Sequence, residues 1–164
     1  MTPHLRKGLI VAAIHLAMVA SLGAKLLVDR ATRPRVWART GPVDPDDPIR
    51  ERYVRLRVEG TPIDWGGDVT DQRVTLAARD GALALLPAAG DSGVTAHVIT
   101  RAPQPVAVVD QPLAFFIPQH APDPSVRAPG EELWVEVTLP RHGAPRPIRL
   151  AVKKDGVMTP LDLD

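Results

Sequence analysis

The hydrophobic pattern of this chain changes character once. Gly8 to Ala24, GLIVAAIHLAMVASLGA, is almost wholly apolar, and the apolar run resumes after Lys25 through Leu26, Leu27 and Val28. At 1.5 Å per residue, about 17 helical residues span about 25 Å and about 21 span about 31 Å, which is the thickness of a bilayer's hydrocarbon core. The run predicts one membrane-crossing helix over residues 8–28, inside an anchor at 1–29, with Lys25 snorkelling at its far edge. A cleaved signal peptide and a buried soluble helix are the rival readings. Ser21-Leu22-Gly23-Ala24 supplies small residues but no A-x-A cleavage site.

From Tyr53 onward the apolar residues alternate with polar ones. Val54, Leu56 and Val58 fall on one face of a strand, and Tyr53, Arg55, Arg57 and Glu59 on the other. The same period places Val74, Leu76 and Ala78 together, then Val94, Ala96 and Val98, then Leu133, Val135, Val137 and Leu139, then Ile148, Leu150 and Val152. Asp80-Gly81 and Asp155-Gly156 are two-residue hairpin signals. Pro105–Val109 and Leu113–Ile117 are short apolar runs, and Gln119–Gly130 reads as a loop rich in Pro, Ala and charge. About seven to nine short strands with regular turns predict a mostly β chain, an antiparallel sandwich or barrel-like domain over 42–164. Residues 30–41 read as a basic juxtamembrane link, with Trp37 at the headgroups or capping the domain.

The densest signal lies where the link meets the domain. Pro42, Pro45 and Pro48 recur every third residue and hold Gly41–Arg50 extended and stiff. Asp44 and Asp47 each precede a proline, where their carboxylates initiate turns by bonding nearby backbone N–H groups. Asp44, Asp47, Arg50, Tyr53, Arg55 and Arg57 are the candidate recognition surface. The plainer alternative is a solvated outer face on a half-buried strand.

These residues carry a resemblance. Pro42-Val43-Asp44-Pro45 followed by Glu51-Arg52-Tyr53-Val54-Arg55-Leu56-Arg57-Val58 resembles the signature of the bacterial GDYXXLXY family, small membrane-anchored proteins of unknown function. Tyr53 and Leu56 match the motif, while Glu51, Arg52 and Val58 stand where the family has Gly, Asp and Tyr. Phe115-Phe116-Ile117-Pro118 and the Val152–Val157 hairpin fill the places of a Phe-rich strand and a late hairpin in that family. The resemblance implies a domain outside the inner membrane and a multi-pass membrane protein as partner. The positive-inside rule, read alone, points the other way, because Lys25, Arg30, Arg33, Arg35 and Arg39 follow the apolar run while Arg6 and Lys7 precede it. The expectation adopted is an inner-membrane protein with a periplasmic C-terminal domain.

Composition narrows the chemistry. A net charge of +1 gives no global field for nucleic acid, and an aromatic content of 4% argues against stacking platforms for single strands. The absence of Cys removes disulfides and thiolate chemistry. Ser92 and Ser125 stand in loops without a nucleophile-elbow pattern, and Ser21 stands in the anchor. His97, His120 and His142 have no metal-ligand spacing, and Asp44, Asp46 and Asp47 do not match a calcium loop. Asp64 and Asp68 read as loop residues, and Glu131, Glu132 and Glu136 as solvated residues at a strand start. His15, alone in the apolar run, is expected to bond a backbone carbonyl or a partner helix. The functional expectation is a membrane-anchored accessory protein with no cofactor, no metal and no evident catalysis. The alternative is an envelope hydrolase using carboxylates or a metal near Asp44, Asp47 and Tyr53.

Overall fold

A computed structural model describes residues 3–41, 53–66, 71–90, 93–101, 104–118, 120–140 and 143–163. The chain divides into two compact units, Met1–Arg33 and Pro34–Asp164.

The first unit is helix α1, Pro3–Thr32. It opens on a proline, whose missing N–H costs nothing in the first turn. Residues Arg6–Thr32 are long and apolar enough to cross a membrane. The apolar side chains are exposed all round the helix, Leu16 and Val19 each by 71%. Such a helix has no apolar stripe to turn toward a protein core, as a bilayer span requires none. Its polar side chains are satisfied locally. His15 Nδ1 lies 2.8 Å from the Val11 carbonyl oxygen, and Ser21 Oγ donates to the Met18 carbonyl at 2.8 Å. His15 therefore takes the backbone-carbonyl option, on its own helix. Arg33 closes the unit by pairing with Asp29 at 3.1 Å.

The second unit is a closed six-strand β-barrel with additional strands, as its alternating segments predict. Its strands are β1 (Arg35–Gly41), β2 (Tyr53–Pro62), β3 (Asp71–Arg79), β4 (Ala82–Pro87), β5 (Val94–Arg101), β6 (Gln104–Val109), β7 (Leu113–Phe116), β8 (Glu131–Thr138), β9 (Arg146–Lys154) and β10 (Val157–Pro160). The barrel closes through the cycle β1-β4-β3-β5-β6-β2 and back to β1; β8, β9 and β10 extend the sheet from β1, and β7 extends it from β2. Both Asp-Gly pairs make the expected hairpins. Asp80 and Gly81 have φ of 51° and 76°, and Asp155 and Gly156 have 49° and 82°. Two consecutive left-handed residues match the twist of the flanking strands, which is why Asp-Gly is favoured there.

Strand β2 is the pivot. Its residues 53–56 pair with β7, Arg57 to Glu59 with β1, Glu59 and Gly60 with β6, and Thr61 and Pro62 run parallel to β4. Val54, Leu56 and Val58 point inward with at most 3% exposure, as the alternation predicts. Gly60 stands where β2 changes partners. A Cβ there would run into Leu85 Cδ1 and lie 2.7 Å from the Leu83 carbonyl oxygen, so only glycine lets these strands close.

The structure redraws one stretch. Residues 35–41, expected within a basic link, are strand β1, and Val36 and Ala38 are core residues. The cations Arg35 and Arg39 masked a short alternating strand. Trp37 belongs to that strand and is half-buried.

Candidate functional site

Asp44, Asp47 and Arg50 lie outside the described residues. Tyr53, Arg55 and Arg57 lie on the outward face of β2, as their alternation requires, with Arg55 and Arg57 exposed and Tyr53 half-buried. The β2–β7 pairing sets Tyr53 opposite Phe116 and Arg55 opposite Ala114. Directly opposed residues share a face, so Phe116 joins this surface. The two rings meet edge to face with centroids 6.1 Å apart, a favoured quadrupolar arrangement. Phe116 is nonetheless 76% exposed. An aromatic pair beside two cations is thus presented outward at one end of β2. The signal for Phe116 was in the sequence only as a Phe-Phe pair. Which of the two rings faces out depends on the register of β7 against β2.

A second surface spans β1, β8 and β9. In register, Trp37 stands opposite Glu136, which stands opposite Arg149, while Arg39 stands opposite Trp134. Arg149 Nε donates to Glu136 at 2.7 Å and its guanidinium lies 5.4 Å from the centroid of Trp37. Lys153 Nζ lies 4.8 Å from the centroid of Trp134, whose indole N–H donates to Glu132 at 3.1 Å. Glu132 also pairs with Arg39 at 3.0 Å, and Arg39 approaches Glu59 at 3.8 Å. Each cation is thereby spent on a carboxylate or a ring of a neighbouring strand. Glu136 is 8% exposed and Glu59 is 3% exposed, so neither is the solvated residue its place in the alternation predicts. A cross-strand arginine meets each carboxylate in its buried position. A cleft of about 150 Å³ opens beside this surface, with Trp37, Arg39, Glu59 and Trp134 in its wall.

A third group assembles on the outer side of β3, β5 and the end of β6. Asp71 is the register partner of His97, and His97 Nδ1 lies 2.5 Å from Asp110 Oδ1. One donor atom from each of the three falls within 4.8 Å of the others. These residues are 26 and 13 positions apart in the chain, by subtraction of their numbers. Their spacing therefore carries no ligand motif, and only strand pairing brings them together.

The described serines are engaged locally: Ser21 with its own helix, and Ser125 with Asp123, through both its hydroxyl and its backbone N–H. The comparisons with family models, curated proteins and solved structures find no match for this chain.

Proposed function

We propose that this chain is a single-pass, membrane-anchored accessory protein of the bacterial envelope. Residues 8–28 cross the inner membrane, and the barrel stands on the periplasmic side. The outward face of β2 and β7 binds a membrane-protein partner. The observation that supports this most is the exposed Phe116 ring set edge to face against half-buried Tyr53, with Arg55 and Arg57 on the same outward face of β2. Large aromatics and arginines dominate binding energy at protein interfaces.

The second support is the apolar helix in the same chain, long enough for one crossing. The resemblance to the GDYXXLXY family at Tyr53 and Leu56 supports the periplasmic side and the membrane-protein partner. The chemistry of the face defines that partner. It offers an apolar side chain to fit against Phe116 and carboxylates to meet the arginines. The reading includes no catalytic step.

The test is partner capture. Full-length protein extracted in mild detergent from its native membrane is expected to bring a membrane protein in fixed stoichiometry. The Phe116→Ser, Arg57→Glu double variant, folded and equally abundant, is expected to lose it. A chain that comes out alone, or a partner retained in full by the double variant, would overturn the proposal.

A further inference from the structure

The barrel carries a cluster that the proposed partner face does not use. Asp71 begins β3, His97 lies in β5 and Asp110 follows β6. Val74, Val94, Ala96 and Val109 on these strands point into the core, which sends the intervening residues outward. The antiparallel pairing of β3 with β5 sets Asp71 against His97. The Asp110 backbone N–H donates to the Thr95 carbonyl at 3.0 Å, which ties the end of β6 back to β5 and fixes the carboxylate beside the imidazole. Two of the three positions are thus set by sheet hydrogen bonding and the third by a backbone tether.

We propose that Asp71, His97 and Asp110 form a binding site for a divalent transition-metal cation, with zinc as the best fit among the biological ions. The donor set is one imidazole nitrogen and two carboxylate oxygens. Zinc accepts such ligands at about 2.0–2.2 Å, so donors sharing one ion stand roughly 3–3.5 Å apart. The three donor atoms lie within 4.8 Å of one another. The His97–Asp110 contact of 2.5 Å must open slightly to admit an ion, which small rotations about the side-chain torsions provide. His97 and Asp110 side chains are each 39% exposed, which leaves room for that movement and for water in the remaining coordination positions.

The choice of cation follows from the donors. Calcium and magnesium prefer all-oxygen shells, calcium with six or more ligands. Imidazole with carboxylate suits zinc and its neighbours, and the Irving–Williams order sets zinc above manganese and iron. Two carboxylates and a neutral imidazole carry a charge of about −2, which one divalent ion neutralises. Arg73 stands on the same face, two residues from Asp71 and opposite Thr95, and is the competing cation for these carboxylates. A metal that coordinates the imidazole as well outcompetes a guanidinium that pairs with oxygen alone. Sites with three protein ligands leave positions for water or for a ligand atom from a partner.

Calorimetric titration tests this directly, on untagged full-length protein in detergent micelles, with zinc chloride and separately with manganese and calcium chloride. The expected result is one zinc per chain, bound more tightly than manganese, with calcium giving no saturable heat. His97→Ala and Asp110→Asn are each expected to weaken zinc binding by about tenfold or more, the scale on which changes around a metal site act. His120→Ala is expected to leave it unchanged. Zinc is also expected to raise the unfolding temperature of the parent and not of His97→Ala, because only a ligand of the folded state does so. Asp71→Asn serves if either first variant fails to fold. No saturable zinc binding overturns the proposal. So does a folded His97→Ala that binds zinc as the parent does, or binding weakened equally by His120→Ala, which would mark an adventitious ion only.

Discussion

The two outward faces of the barrel are built on different strand pairings. On β1, β8 and β9, Arg39, Arg149 and Lys153 are each held by a carboxylate or an indole of an adjacent strand. On β2 and β7, Tyr53 and Phe116 meet each other, and Phe116 stays 76% exposed beside Arg55 and Arg57. The first face carries Trp37 and Trp134 with glutamates among its cations, and the second carries Tyr53 and Phe116. Pairing separates them further. The first face has three strands side by side, so the outward residues of its middle strand β8 have cross-strand neighbours on both sides. The second is two strands wide, and β7 is four residues long. The broad face ties three strands together, and the narrow one keeps the Phe116 ring in solvent.

This contrast can be broken from beneath. Leu56 is fully buried in β2 under the recognition face. Leu56→Ala is expected to cost about 2–5 kcal/mol. That loss, read by urea unfolding of the full chain in detergent, would reduce partner binding only through loss of folded protein. Next in size is Glu136→Ala on the broad face. It removes the acceptor beneath Arg149, at 2.7 Å, and is expected to cost about 1–3 kcal/mol in the same unfolding experiment. Lys153→Ala keeps every ion pair named on that face and removes only the cation over Trp134. It is expected to cost about 0.5–1 kcal/mol. Phe116→Ser on the narrow face is expected to cost about 0.5–1 kcal/mol, the scale of the edge-to-face pair with Tyr53 that it removes, while weakening partner capture more than any of the others does per folded molecule. If Phe116→Ser destabilises as much as Glu136→Ala, the two faces do not differ as described.

What the sequence discloses tracks how local each feature is. The membrane-length helix needs only a continuous apolar run. The inward faces of β2 and β8 need only the two-residue period, and the hairpins need only Asp-Gly; in β3 the same period puts Ala78 inward, where the structure leaves it exposed. Barrel closure rests instead on β2 exchanging partners along its length, and on two parallel contacts with β4, at Trp37 and at Thr61 and Pro62. No local period encodes those. Glu59 and Glu136 mislead for the same reason: their alternation is outward, and a neighbouring strand with its arginine covers them. In the candidate surface, Tyr53, Arg55 and Arg57 were legible from β2 alone. Phe116 required the register of β7, and the Asp71–His97–Asp110 group required three strands at once. β1 was missed because two arginines and a tryptophan after an apolar helix resemble a juxtamembrane link as much as a strand.

The proposed function places the barrel outside the cytoplasm, where a partner would meet the outward face of β2 and β7. A topology reporter fused after Asp164 tests it most directly. A phosphatase active only outside the cytoplasm is expected to be active in membrane-bound fusions, and a fluorescent protein that matures only inside is expected to stay dark. A bright fluorescent fusion with a silent phosphatase would contradict it.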